Sequence, residues 1–367
     1  MRFRIETWTI ANLIAAHNRE ELNLNPPYQR RFIWSLEDQR ILIESIYKNY
    51  PIPNIFLKEN APGNFEVVDG QQRLRTIIAF RSGQFTDFEN RLYNPADYPN
   101  FDNFIISTII IEMIGEDDIA IHDYYGLVNS AGVHLNRPEI KKAEFYETVF
   151  LRLINACNDY ANFRELGLFT ETVLKRMNDM DFVSELVVLL KDGITDKKDQ
   201  IDRTFESDIT EDQYNVLYPR FTTIIDKVLQ LNAIFPIRRT RYKQRNDFYT
   251  LFGFLKDNDF SIVHLTYIYK ILVLIANDIS PSNDDCISFQ NYARNCVTQS
   301  NSRNARLERK AFFDQLFLNT EVNPNATQRD ILSFYGLTES PLTEYEANYS
   351  LPVVELHALK PSIIFNS

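Results

Sequence analysis

A chain of 367 residues with 44% hydrophobic and 13% aromatic content can bury a sizeable core and is long enough for two domains. Its formal net charge of −11 excludes a surface that binds nucleic acid all over, while leaving room for a local basic cleft. No apolar run reaches the length of a membrane span, and the opening Met1-Arg2-Phe3-Arg4-Ile5-Glu6 lacks an apolar signal stretch, so a soluble, cytoplasmic protein is expected. Cys157, Cys286 and Cys296 are odd in number and without C-x-x-C spacing, which predicts neither a disulfide framework nor a zinc site.

In chain order, Ile5 to Ala16 reads as a short strand running into a helix. Asn25 to Trp34 interrupts all periodicity, and its Pro26-Pro27 pair predicts an extended loop. Ser35 with Asp38 three residues later is a capping box that opens a helix through Leu42, Ile43 and Ile46, ending before Pro51-Ile52-Pro53. Asn54 to Lys58 and Phe65 to Val68 read as strands separated by a Pro-Gly loop, and Ile105 to Glu112 as a buried third. Gln84 to Asn103, rich in Asp, Asn and Pro, is expected to be a surface connection.

The segment Phe65 to Phe80 is the most informative. Its β-branched start is too short for a helix, whereas Leu74, Ile77, Ile78 and Arg81 recur at helical spacing. Asp69-Gly70 is therefore a strand-to-helix elbow, where glycine permits a sharp turn and the first-turn N–H groups can attract an anion. Gln72, Arg75, Thr76 and Ala79 fall on one stripe of the following helix, and Arg73 sits in its first turn. That pattern suits a phosphate, and it equally suits an ordinary turn followed by a solvated helix face.

Val68-Asp69-Gly70-Gln71-Gln72-Arg73 resembles the DGQQR signature of a large bacterial domain family best known from the GmrS half of the GmrSD modification-dependent restriction system. The Tyr28-Gln29-Arg30 to Trp34 segment resembles the family's second signature, and Asn129 to Glu139, with Asn129 and Glu139 as candidate lining residues, its later N-x-x-G-x-x-L-x-x-x-E element. Gly70 to Thr76 also parallels the phosphate box of ParB, with Gln71 and Gln72 standing where that box has an acid and a base. The resemblance implies an α+β, ParB/sulfiredoxin-like nucleotide-binding domain over residues 1–137, followed by a mainly α-helical domain over 138–367. It further implies a nucleoside triphosphate with Mg²⁺, bound through Gln29, Arg30, Gly70, Gln71, Arg73, Arg75 and Thr76. Asp69, Gln72 and Arg73 would be catalytic: Asp69 as the metal ligand or water-orienting group, Gln72 as the residue that positions the attacking water.

Beyond residue 138 the pattern is helical, with apolar runs at Phe145 to Cys157, Met180 to Leu190, Phe221 to Ile234, Ile262 to Ala276 and Ala311 to Leu318. Lys175-Arg176-Met177 and Glu185 continue the resemblance. Two basic clusters stand out: Arg238, Arg239, Arg241, Lys243 and Arg245, interleaved with Tyr242, and Arg303, Arg306, Arg309 and Lys310. DNA phosphates could lie against either, with an aromatic available for stacking; solvated loop and helix faces explain the same residues equally well.

The chain shows no D-H-x-x-P element of the HNH type, and its five histidines are scattered. The expected function is that of a nucleotide-binding, hydrolysing half of an antiphage defence system, with a separately encoded nuclease and a homo-oligomer as compatible partners. The alternatives are a non-hydrolysing DNA-binding or regulatory module switched by nucleotide, and a nuclease acting through the DGQQR domain itself.

Overall fold

The computed structural model describes residues 2–26, 32, 34–113, 137–170, 173–174, 177–337, 342–345, 349–352 and 356–366. The chain forms two compact units, one of residues 1–146 with 171–178, the other of residues 147–170 with 179–367. It is a mixed α+β protein, with a five-stranded sheet in the first unit and helices dominating the second.

In the first unit, strand β1 (Arg2–Thr9) passes into helix α1 (Ile10–Asn18) at Thr9, whose hydroxyl accepts from the Asn12 amide while the Asn12 side chain accepts from the Thr9 amide. This reciprocal cap satisfies two of the amides that a helix start leaves open. After the short β2 (Leu22–Asn23), the Ser35–Asp38 capping box forms as its spacing predicts and opens α2 (Leu36–Tyr47). Strands β3 (Ile55–Ala61) and β4 (Asn64–Asp69) form a hairpin around Pro62-Gly63, with Gly63 at φ +80°. Helix α3 (Gln71–Arg81) and strand β5 (Ile105–Met113) complete the set.

The sheet order is β1-β5-β3-β4-β2. β1 runs antiparallel to β5, with Ile5 opposite Ile109; β5 is parallel to β3, with Leu57 opposite Ile110; β3 and β4 are antiparallel, and β4 is parallel to β2. Ile55, Leu57 and Val67 from the sheet are fully buried in one core with Leu13 of α1, Ile43 of α2 and Leu74, Ile77 and Phe80 of α3. Burying a side chain of this kind stabilises the fold by about 1.5 to 3 kcal/mol.

The connection 84–103 runs, as expected, without helix or strand and mostly exposed, but buried aromatics that its Asp, Asn and Pro content does not announce anchor it. Tyr98 and Phe101 are buried, with ring centroids 5.2 and 5.6 Å from that of Phe80. The polar residues set the turns, but the interleaved aromatics carry too much apolar area to stay in water. Asp87 lies under the same connection, accepting the Tyr98 hydroxyl at 2.5 Å and the Arg91 guanidinium and amide.

The second unit is built around the helix Asn178–Asp192, in which every residue from Met180 to Leu190 except Asp181 is buried. The expected helix from Phe221 starts earlier: Thr210 and Gln213 form a capping box, and the helix Glu211–Ile234 runs through Pro219. Proline removes one amide donor and usually ends a helix; here buried residues on both sides of it, Leu217 and Phe221, hold the helix together. An antiparallel pair of strands, Thr343–Tyr345 and Tyr349–Leu351, is a β element that periodicity does not announce. Among the described residues no helix is long and apolar enough to cross a membrane.

Candidate functional site

The Asp69-Gly70 elbow forms as expected. β4 ends at Asp69, Gly70 takes φ +99° at the N-cap position, and α3 begins at Gln71. A Cβ on Gly70 would lie 3.0 Å from Cγ1 of the fully buried Ile55, so both the dihedral and the space require glycine. Arg73 folds back over the elbow: its Nη2 donates to Asp69 Oδ2 at 2.6 Å and to the Asn54 carbonyl at 2.9 Å. The guanidinium thereby ties β4 and the start of β3 to the first turn of α3.

The two glutamines of the signature are buried and form a relay of amides. Gln71 Nε2 donates to the Leu24 carbonyl at 2.6 Å, Gln72 Nε2 donates to Gln71 Oε1 at 3.3 Å, and Gln72 Oε1 accepts from the Trp34 backbone amide at 3.3 Å. The relay holds Leu24 and Trp34, the two residues that bracket the Asn25-to-Ile33 segment. The first signature thereby holds the chain on both sides of the segment that carries the second. Gln29 and Arg30 lie outside the described residues, as do Tyr28, Asn129, Lys175 and Arg176; the helix Arg137–Glu144 begins beside Pro138, and the Glu139 side chain is not described.

Arg75 points elsewhere. Its Nη2 donates to Asn25 Oδ1, its Nε is buried without a hydrogen-bond partner, and burial lowers its pKa from the ordinary guanidinium value without discharging it. It lines a cavity of about 370 Å³ together with His17, Asn25, Phe32, Gln39 and Gln84, and among the described residues no acid lines it. A partly buried cation facing a cavity with no carboxylate among its described lining residues is suited to an anion. Thr76, expected beside Arg75, turns inward: it is fully buried and its hydroxyl has no partner. The signal for Asn25 was its place before Pro26 in the loop; nothing in sequence marked His17 or Gln39, which reach the cavity from α1 and α2.

Asp69 is a single carboxylate engaged by Arg73, and among the described residues no group of three or more His, Cys, Asp or Glu comes together. The residues present fit Mg²⁺ only as an ion that takes most of its ligands from bound phosphates and water, with at most Asp69 from the protein.

The basic cluster at 238–245 does not form one strip, which corrects the expectation for Arg241, Arg245 and Tyr242. Arg241 pairs with the fully buried Asp247 at 2.8 Å and donates to the Ile279 carbonyl. Arg245 donates to Asp181 at 2.7 Å and Glu185 at 3.1 Å, while Tyr242 is fully buried and unable to stack on a base. Arg238, Arg239 and Lys243 remain exposed. In the second cluster, Arg306 pairs with Glu185 at 2.6 Å and Arg309 is fully buried, donating to the Asn295 and Ser300 carbonyls. Arginines at helical spacing look alike in sequence whether they face water or a buried acid.

The first unit is thus a small α+β domain whose candidate site comprises a strand-to-helix elbow, the amide relay behind it and the Arg75 cavity beside it. Residues 10–146 match the family model described as the GmrSD restriction endonuclease, N-terminal domain, and the match ends where the main segment of this unit ends. The chain therefore carries a GmrSD-like N-terminal domain. No curated protein and no solved structure matches the chain.

Proposed function

We propose that the N-terminal unit, with a ParB/sulfiredoxin-like arrangement, binds a nucleoside triphosphate in the Arg75 cavity as part of a restriction-related antiphage defence system. The observation that carries this reading is the Arg75 guanidinium, partly buried, held by Asn25 and facing a cavity of about 370 Å³ that no acid lines among the described residues. Phosphates pair with a guanidinium fork through two hydrogen bonds, and a preoriented, desolvated fork binds them more strongly than a mobile surface lysine. Gln71 and Gln72 act by holding the loop that carries Gln29 and Arg30, with Arg30 as the second cation. Mg²⁺, carried by the triphosphate, would neutralise phosphate charge as hydrolysis proceeds. The exposed Arg238, Arg239 and Lys243 are the residues available for DNA, and a separately encoded nuclease is the partner that would cut it.

A second reading, nucleotide as a switch without turnover, has its own support. The Asp69 carboxylate is held by Arg73 and the Gln72 amide by Trp34 and Gln71, so both groups expected to handle water are already engaged.

The test is a thermal shift of the full chain against ATP, GTP, CTP and UTP with Mg²⁺. A ligand at about a hundred times its Kd adds roughly 2.7 kcal/mol of stability. The shift should appear with at least one nucleotide and vanish in Arg75→Ala; no shift with any of the four in the parent chain removes the reading. Steady phosphate release separates hydrolysis from the switch.

A further inference from the structure

We propose that the outer edge of β1 is where two copies of this chain pair, antiparallel and centred on Ile5, so that their two sheets of five strands become one. Among the described residues β1 ends the sheet order and pairs only with β5, and a strand in that position presents a row of open backbone N–H and C=O groups on its other side. The opposite end of the sheet is β2, which at two residues is too short to serve as a template. β1 is eight residues long, contains no proline, and departs from regular pairing only between Arg2 and Phe3. Folded chains commonly blunt an edge with a short strand, a proline or a bulge along its length, and from Phe3 to Thr9 this edge has none of the three.

The side chains indicate what covers it. Phe3 and Ile5 are 57% and 66% exposed on one face of the strand, and Ile5 starts an apolar row that crosses the sheet through Ile109 of β5 to Phe56 of β3. A second copy related by a two-fold axis at Ile5 continues this row with the partner's Ile5, the partner's Ile109 and the partner's Phe56, and sets Phe3 beside the partner's Thr7.

Charge on the other face selects the register. Centring on Ile5 places Arg4 beside the partner's Glu6 and Glu6 beside the partner's Arg4, two opposite-charge pairs across the axis. Moving the axis by one residue either way sets Arg4 against the partner's Arg4 or Glu6 against the partner's Glu6, and an in-register parallel pair does both. Within one copy Arg4 already joins Glu6 at 2.6 Å and Glu59 at 2.6 Å, so pairing extends an existing ion-pair network and buries no lone charge. A surface that is complementary to itself in one register fits a second copy of this chain.

The experiment is analytical ultracentrifugation of the full chain from about 1 to 100 µM, the range suited to a small interface. A monomer–dimer equilibrium should appear. Ile5→Lys, which opposes two ammonium groups at the axis, should raise its Kd about tenfold or more, and the circular dichroism should stay that of the parent because Ile5 is exposed. Cross-linking reads the register, since opposed residues of antiparallel strands have Cα atoms about 4.5 to 5.5 Å apart, within the span of a disulfide. Ile5→Cys should cross-link to itself under air oxidation. Phe3→Cys should cross-link to Thr7→Cys when the two variants are mixed, and neither should cross-link alone; the parent chain, with Cys157 and Cys286 buried, is the control for Cys296. A chain that stays monomeric throughout the range overturns the proposal, as does a dimer indifferent to Ile5→Lys, or one in which Phe3→Cys cross-links to itself and Ile5→Cys does not. No residue of β1 lines the Arg75 cavity, so loss of the nucleotide reading would leave this interface standing, and the reverse.

Discussion

Arg73 and Arg75 leave α3 in opposite directions: Arg73 closes on Asp69 at 2.6 Å, while Arg75 reaches Asn25 and faces the cavity beside the loop. Two positions along an α-helix differ by about 200° around its axis, so the arginines of one signature cannot serve one ligand from the same side. The variants Arg73→Ala and Arg75→Ala should accordingly fail in different ways. Arg73→Ala removes two hydrogen bonds to a part-buried guanidinium and should lower unfolding free energy by about 1.5 to 3 kcal/mol in urea titrations. Arg75→Ala should change stability much less and abolish the nucleotide-dependent thermal shift. Equal stability losses in the two variants would contradict this division.

Gly70→Ala should destabilise the N-terminal unit by about 1 to 3 kcal/mol, because alanine at φ +99° is strained and its methyl would press on Ile55 at 3.0 Å. Ile55 is fully buried between strands and has nowhere to move. A urea midpoint that stays at the parent value would show that the elbow relaxes without loss.

Acid sensitivity can be assigned in part to Asp87. Burial pushes its carboxyl pKa up, but the Tyr98 hydroxyl and the amide and guanidinium of Arg91 outweigh burial and hold it below its ordinary 3.8. Because the folded value is the lower one, the unfolded chain binds the proton first as pH falls. The carboxylate's stabilisation is thus fully present above about pH 4 and is lost as pH drops through the folded value. Asp87→Asn should cost about 1 to 3 kcal/mol at pH 7, and the gap from the parent should narrow below pH 4. A gap that is the same at pH 7 and pH 3 would show that ionisation of Asp87 plays no part.

Much of the first unit is legible from local rules. The Ser35–Asp38 box, the Pro62-Gly63 hairpin and the elbow at Gly70 each depend on residues within a few positions, and each forms as read. What is not legible is which partner a long side chain finds. Nothing near Arg73 in sequence shows that the Asn54 carbonyl will meet it, and Gln71 and Gln72 look like solvent-facing amides until the loop they grip is placed beside them. The buried Tyr242 and Arg309 make the same point in the helical unit: their neighbours come from segments far along the chain, and amphipathic spacing cannot separate a buried ion pair from a wet one.

The pairing of β1 with β5 has a consequence for how the protein is made. Ile5 sits opposite Ile109, so β1 cannot find its place during synthesis until more than a hundred residues have followed it. The β3–β4 hairpin can close on its own from adjacent sequence, but the sheet edge waits on a contact between distant segments, and such non-local pairing slows folding. During that interval Phe3 and Ile5, which stay exposed even in the finished sheet, travel on an unpaired strand. The charged residues alternating with them, Arg2, Arg4 and Glu6, are what discourages that nascent strand from pairing with another chain.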